Sequence, residues 1–273
     1  MISSYTTCPL PAHDDEADIL VVTPTLGKRS QVNRTIQSVA SIGGSRVFHC
    51  IVGPIGHTKW IVECNPNVYL LDDEGCHSIY EALNLAVFTL ASRFKYFAYI
   101  NDDDYWASGF SQLIRLLDTS PHLTLVYGRT RVVDLAGGYI KMIPHFPFPW
   151  CFRSLLKFLA VMFTQQSVLC RTSDLIELKA FDQKFRLFAD SDLFARWIES
   201  GRRVGSCSAI CSSYCYEGQR LSNNTSDFNA DIRMLRLRHG KVILPQDVSI
   251  FLLFRCYNIF EYSSRMLTHF FPS

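Results

Sequence analysis

Residues 95–106 read KYFAYINDDDYW, with aspartates at positions 102, 103 and 104. The run Tyr96–Ile100 is short, apolar and aromatic, as a buried strand is. It ends directly on Asn101 and three consecutive carboxylates. Adjacent carboxylates repel one another, and keeping them together costs energy unless a cation or strong donors compensate. In open α/β sheets, ligands gather at the carboxyl ends of strands. Hard divalent cations prefer oxygen ligands, and Mg²⁺ commonly takes one or two protein carboxylates plus substrate phosphates. The stretch therefore predicts a metal–diphosphate site at a strand end. The competing reading is an acidic turn capping the following helix. The strand before it and Tyr105-Trp106 after it favour the site.

Outward from this point the chain alternates strands and helices. Strands are predicted at Ile19–Val22, Val47–Val52, Val68–Leu71, Tyr96–Ile100 and Leu123–Tyr127. Helices are predicted at Ser30–Ser41, Ile79–Leu90 and Gly109–Leu117. Such alternation predicts an α/β fold with a mostly parallel central sheet flanked by helices. The second half differs. Arg131–Met142 reads as a hairpin around Ala136-Gly137-Gly138, and the IPHFPFPW stretch that follows excludes regular structure. Helices are predicted at Ser154–Phe163, at Asp190–Ser200 with Gly201 as its stop, and at Asp227–Arg238; a strand is predicted at Ser167–Cys170. Residues 217–226 read as a polar lid-like loop, and 247–271 as an aromatic amphipathic tail.

Composition sets outer bounds. With 273 residues and 48% hydrophobic side chains, the chain can bury a full core. At 19% charged, with 20 Phe and 12 Tyr, it is not a disordered sequence. A net charge of +2 excludes a strongly basic nucleic-acid binder as the default. No apolar run reaches the roughly 18 residues of a membrane span. The acidic N-terminal segment does not resemble a signal peptide. This predicts a cytoplasmic protein, with reduced thiols for its 10 cysteines. Cys207, Cys211 and Cys215 would share a face on a helix, but their Ser-rich, β-prone surroundings predict strand and turn, where they do not converge on a metal.

Other residues join the carboxylates as candidates. Thr23-Pro24-Thr25 follows the first strand and presents hydroxyls at the same sheet edge, with Lys28 and Arg29 in reach of an anion. Ser78 and Glu81 form a capping-box pattern. Tyr80 and Asn84, spaced i, i+4, reach one spot near that helix start, which suits a phosphate or sugar, or packs as an ordinary helix rim. Gln165 and Gln166 precede a strand and are candidates for acceptor hydroxyls. Arg220, in the loop, is a candidate for a diphosphate. Asp190 and Asp192 lie two apart on a predicted helix and point to opposite sides, so only one can face a site. Residues 201–241 hold seven Lys/Arg against three acids. Beside the aromatic tail, this composition suits an anionic membrane surface, a core-closing helix or a dimer contact.

Four segments in order, VVTPT, SIYEALNLA, YINDDDYW and TQQSVLCR with the downstream FDQKFRLFADSDLFARWIESG, resemble family 2 glycosyltransferases of the GT-A fold. Bacterial enzymes that build surface polysaccharides are the most similar. The resemblance covers about residues 19–222. It implies a nucleotide-sugar donor, Mn²⁺ or Mg²⁺, and inversion at the anomeric carbon; the basic segment and aromatic tail add, as a hypothesis, a saccharide or lipid-linked saccharide acceptor at the cytoplasmic face of a membrane. Carried onto this chain, it implies Asp104 as metal ligand with Asp102, and Asp102 and Asp103 beside the ribose and diphosphate. It further implies Thr23, Pro24 and Thr25 along the nucleoside and Asp190 as catalytic base; Asp192 competes with it for that role on local geometry, or supports the acceptor side. It divides the chain into an extension at 1–17, a nucleotide-sugar-binding half at 18–145, an acceptor and base half at 146–240 and a tail at 241–273. One departure stands out. Where the family carries an acid after the second strand, this chain reads Gly53-Pro54-Ile55-Gly56-His57, so the nucleobase is left open and a non-catalytic nucleotide- or partner-binding protein is the alternative. The sequence lacks a Gly-rich, Arg/Lys-bearing triphosphate loop after the first strand, which disfavours a nucleotidyltransferase.

Overall fold

A computed structural model describes residues 17–160, 162–216, 225–240 and 242–261. The first unit comprises β1 (Ile19–Pro24), α1 (Val32–Gly43), β2 (Val47–Val52), α2 (Ile55–Cys64), β3 (Tyr69–Leu71), α3 (Ile79–Leu90) and β4 (Tyr96–Tyr99). After the acidic turn come β5 (Tyr105–Trp106), α4 (Phe110–Thr119), β6 (Leu125–Val133) and β7 (Tyr139–Met142). The rest is α5 (Phe152–Lys157), β8 (Val168–Arg171), α6 (Thr172–Glu177), α7 (Ala189–Glu199), β9 (Val204–Cys215), α8 (Thr225–His239) and α9 (Pro245–Tyr257).

One sheet runs in the order β3-β2-β1-β4-β8-β6-β9-β5, with β7 paired to β6. β1 is parallel to both β2 and β4, and β2 is parallel to β3. The antiparallel β8 lies between β4 and β6, so a strand from the later half completes the sheet of the earlier one. Strands β1 and β4 are neighbours in the sheet but distant in sequence. The chain winds outward from β1 in both directions, and the gap between the carboxyl ends of β1 and β4 is the switch point where such sheets bind ligands. Thr25 and Asp102 meet there.

Alternation along β1 explains the two layers. Leu20 and Val22 pack toward α3, on Leu83, Ala86, Val87 and Leu90. Ile19 and Val21 pack toward α1 and α4, with Val39, Phe110 and Leu113. All four strand residues are fully buried, as strands covered on both faces require. Helix α3 begins where the Ser78–Glu81 pattern predicts: Ser78 accepts the N–H of Glu81, while Glu81 reaches one residue past the cap to accept the N–H of His77 at 2.9 Å.

The structure departs from the predicted elements in several places. α2 went unpredicted because its apolar residues lack a clear helical stripe, and the short β5 and α6 went unpredicted as well. The predicted helix Ser154–Phe163 ends at Lys157, and Leu159 then takes a positive φ of 55°. The fifth strand and the first arm of the hairpin form the single strand β6. Gly137, at φ 91°, makes the hairpin turn. Cys207, Cys211 and Cys215 lie on strand β9, and no cluster of three or more His, Cys, Asp or Glu suited to a metal occurs among the described residues. No helix among the described residues is long and apolar enough to cross a membrane.

Candidate active site

The acidic turn splits its three carboxylates. Asp104 is fully buried. Its Oδ1 accepts the N–H of Cys215, at the end of β9, at 2.9 Å. Its Oδ2 accepts amide N–H groups of Asn101 at 3.3 Å and Gln166 at 3.1 Å. Its backbone carbonyl accepts the hydroxyl of Thr35, from α1, at 2.6 Å. Burial, then the neighbouring Asp103 charge, pushes the Asp104 carboxyl well above the ordinary range. The carboxylate that the resemblance assigns to the metal is thus turned inward, with both oxygens engaged. It anchors the turn to β9 and to the 165–167 segment.

Asp102 and Asp103 face the other way. Thr25 donates its hydroxyl to Asp102 at 2.5 Å and accepts the N–H of Gly27 at 3.0 Å. Arg29 Nη1 donates to Asp102 at 3.3 Å and to Asp103 at 2.5 Å. One cationic nitrogen therefore meets both carboxylates, which shows that the two converge on a point able to hold positive charge. Of Thr23, Pro24 and Thr25, only Thr25 reaches this turn. The Thr23 hydroxyl lies 2.9 Å from His49 Nε2 inside the sheet face. Pro24 completes β1 opposite Val52.

The β1 and β2 loops are packed together. A Cβ on Gly53 would collide with the Thr25 carbonyl, and one on Gly27 with the His57 carbonyl. No side chain, acidic or otherwise, fits at position 53. A strand-end acid after β3, Asp72, accepts the N–H of Ile55 at the start of α2 at 3.3 Å.

Tyr80 and Asn84 share one spot, as their spacing predicts, but protein already fills it. Tyr80 donates its hydroxyl to the Leu187 carbonyl at 2.8 Å, and its ring stacks on Phe181. Asn84 donates to the Phe181 carbonyl at 2.7 Å and accepts its N–H at 3.0 Å. Both side chains latch α3 to the segment leading into α7, so neither faces a donor. That segment presents Asp190, whose Oδ1 accepts the N–H of Ser191 at 2.7 Å. Burial raises the Asp190 carboxyl to about 6. Tyr99, at the end of β4, lies between the two acidic regions: burial raises its hydroxyl first, then Asp190, Tyr80 and Asp104 add to the effect.

Asp192 lies on the opposite side of α7 and is fully buried. It accepts Arg196 Nε and Arg238 Nη1, each at 2.7 Å, and His239 Nε2 lies at 2.9 Å. Burial alone would raise its carboxyl. The His239 and Arg196 hydrogen bonds and the Arg196 charge outweigh burial and hold it below the ordinary range. Its oxygens are committed to this network, which removes it from the acceptor side. Gln166 is likewise taken up by Asp104, whereas the half-buried Gln165 lines a narrow apolar space with Tyr99, Phe181 and Leu193. Arg220 lies outside the described residues.

Sequence reasoning missed Asn101, Thr35 and Cys215 as partners of Asp104, and Asp231 beneath α7. Only Arg29 carried a signal, as a cation near the first strand end; it binds the chain's own carboxylates.

No protein-family model and no curated protein matches the chain. Solved structures do. S. aureus TarS 1–349, in complex with UDP-GlcNAc, superposes with a TM-score of 0.64 at 14% identity, covering 81% of this chain and 66% of that one. Full-length S. aureus TarS gives a TM-score of 0.63 at 14% identity, and the chain spans 42% of its length. The mannosyltransferase PcManGT from Pyrobaculum calidifontis, in complex with GDP-Man and Mn²⁺, gives a TM-score of 0.54 at 12% identity and covers 92% of this chain and 77% of that one. With the parallel β3-β2-β1-β4 sheet, its acidic turn at the β1/β4 switch point and the antiparallel β8 beyond it, the chain has the GT-A glycosyltransferase fold.

Proposed function

We propose that the chain is an inverting glycosyltransferase that moves a sugar from a nucleotide-sugar donor to a hydroxyl of a saccharide or lipid-linked saccharide in surface polysaccharide synthesis. One observation carries this reading. Two carboxylates converge on a single cationic point at the sheet's switch point, while a third, Asp190, stands across Tyr99 with a raised proton affinity.

The residues fit a divalent cation. Asp102 and Asp103 offer oxygens that already converge on one positive centre, and a hard cation takes one or two such carboxylates with diphosphate oxygens completing its shell. Bound there, Mn²⁺ or Mg²⁺ would offset the charge that develops on the departing diphosphate. In this reading Arg29 yields its place and turns toward the phosphates, and Asp104 holds the turn from below. Thr25 orients Asp102 through its hydroxyl. Asp190 accepts the proton of the attacking acceptor hydroxyl, and attack opposite the leaving group inverts the anomeric centre in one step. A carboxyl near 6 suits this role: it is mostly ionised at neutral pH yet basic enough to take a proton.

A second reading has its own observation. Arg29 already neutralises both open carboxylates, and position 53 has no room for an acid, which suits a protein that binds a nucleotide or partner without turnover. Thermal shift with UDP and GDP, with and without Mn²⁺, followed by nucleotide release from UDP-GlcNAc and GDP-mannose, decides between them. Metal-dependent stabilisation with turnover supports the enzyme. Stabilisation without turnover supports the binding protein.

The acceptor side includes a membrane contact in this reading. On α9, Asp247 and Phe254 face inward, whereas Val248, Leu252 and Leu253, with Phe260 just beyond the helix, are exposed. Exposed Arg233 and Arg236 on α8 add positive charge. Exposed apolar side chains on one helix and exposed basic ones on another are the two components that anionic lipid binds. Cosedimentation with phosphatidylglycerol vesicles is expected, and lack of binding by the full chain removes the contact.

A further inference from the structure

Asp231, on α8, is 1% exposed and makes an arrangement that no step above uses. Its Oδ2 accepts three successive backbone N–H groups: Arg186 at 3.0 Å, Leu187 at 2.7 Å and Phe188 at 3.1 Å. Consecutive N–H groups turned onto one oxygen form an anion-binding nest. Here the anion is supplied by the chain itself, from a helix more than forty residues downstream. Phe188 is the cap position of α7, and α7 has no capping side chain at that position. The Asp231 carboxylate holds the cap residue and the two residues before it, next to the helix start, where negative charge is favoured. Ring contact between Phe188 and Phe228, 5.4 Å between centroids, ties the same segment to α8. From the opposite side, Tyr80 holds the Leu187 carbonyl. The backbone that delivers Asp190 is thus gripped between α3 and α8 two residues before it.

We propose that Asp231 is a positioning residue for the base: by binding the 186–188 backbone it sets where the Asp190 carboxylate stands. The inference rests on the reading of Asp190 as base. Asp231 also acts on Asp190 through space, since its charge adds to burial in raising the Asp190 carboxyl. The other titratable groups facing Asp190 are Tyr80 from α3 and Tyr99 from β4, and Tyr99 in turn meets Asp104 from the acidic turn. Arg186, in the nest itself, directs its charge toward Glu81.

The test uses the full-length chain. Carboxyl ¹³C resonances of aspartate follow the Asp190 titration, with Asp190→Asn assigning the signal. Amide exchange follows residues 186–188, and nucleotide release from UDP-GlcNAc or GDP-mannose with Mn²⁺ follows turnover. In Asp231→Asn the Asp190 midpoint is expected to fall by about half a pH unit or more. Protection of the three amides falls at least about tenfold, and kcat falls about tenfold with donor KM unchanged. Asp231→Glu is expected to restore the Asp190 midpoint in part. An unchanged Asp190 midpoint and unchanged amide protection in Asp231→Asn overturn the inference. Undiminished turnover by Asp190→Asn overturns the base assignment instead, and any positioning role with it. Should Asp231→Asn not fold, Tyr80→Phe frees Leu187 from the other side. A severalfold lower kcat at constant KM supports the inference there, and wild-type kcat with a wild-type Asp190 midpoint overturns it.

Discussion

Asp104 and Asp192 are both fully buried aspartates, and each lies one or two residues from a carboxylate that faces a different way. Burial pushes both carboxyls up, yet their net shifts run in opposite directions. Asp104 meets only neutral donors, namely the Cys215 N–H and the amides of Asn101 and Gln166, with Asp103 adding negative charge. Its proton affinity rises. Asp192 meets Arg196 and Arg238 with His239 alongside, and its proton affinity falls. The partners, not the burial, decide which acid is an ionised anchor. Asp102 and Asp103 meet Arg29 instead, and Asp190 meets the Ser191 N–H, so in each segment neighbouring carboxylates have different partners.

The largest expected effect breaks this division on its chemical side. Asp190→Asn is expected to lower turnover about 10²–10⁴-fold, the usual worth of a positioned general base, with no change in secondary structure by circular dichroism. The double change Asp102→Asn with Asp103→Asn is expected to abolish Mn²⁺-dependent stabilisation by nucleoside diphosphates. Retained Mn²⁺ dependence there would return the metal to Asp104.

Next comes the ionised anchor. Asp192→Ala strips a buried carboxylate from Arg196 and Arg238, which are themselves 22% and 33% exposed. Removing one partner of a buried pair costs about 3–5 kcal/mol, and water reaching the two arginines lowers this to about 2–4 kcal/mol. Urea denaturation at pH 7 measures it. A cost under about 1 kcal/mol would mean the network is decorative.

The pH dependence of stability sharpens the comparison through its sign. Asp192 is lowered in the folded chain, so its contribution is present above the unfolded carboxylate range and is lost as pH falls. Asp190 is raised to about 6, so the folded form binds more protons and stability falls as pH rises from about 4 through about 6. Asp190→Asn is therefore expected to be more stable than the parent above pH 6.5, by roughly 1–2 kcal/mol after discounting for partial exposure, with little gain at pH 4. Over the same window wild-type turnover should rise with pH as Asp190 ionises. Parallel denaturation curves at every pH would show that Asp190 is not raised.

Much of this organisation is legible from the chain alone. The strand before the aspartates, the capping box of α3 and the opposed directions of Asp190 and Asp192 follow from local patterns: a buried apolar run, an i, i+3 pair and helical geometry. The division of labour among the aspartates does not. Whether Asp104 or Asp103 faces outward depends on Cys215, which is 111 residues away. The spot reached by Tyr80 and Asn84 is filled by residues about 100 positions downstream. Asp231 carries no motif, because a nest is made of backbone N–H groups and any sequence supplies them. Long-range pairing of polar groups is invisible to periodicity, which reports only which face is apolar.

The smallest expected effect is the most discriminating. Two buried acceptors beside Asp104, Asn101 Oδ1 and Gln166 Oε1, have no hydrogen-bond partner. Leaving such groups unpaired costs about 1–3 kcal/mol each. A proton on Asp104 Oδ2 needs an acceptor, and half a turn of the Gln166 amide presents Oε1 to it while moving the Nε2–H donors to where the oxygen had no partner. Asparagine at 104 carries an N–H where the protonated acid carries its O–H, and its carbonyl still accepts the Cys215 N–H. In metal-free protein, Asp104→Asn is expected to change stability by less than about 1 kcal/mol at pH 5, where Asp192→Ala costs several times more. As pH rises toward 8 the parent must either ionise Asp104 among neutral donors or retain its proton at a cost, so the Asn variant gains on it. A loss above about 3 kcal/mol at both pH values would make Asp104 an ionised anchor like Asp192, and the contrast between neutral and charged partners would no longer explain the site.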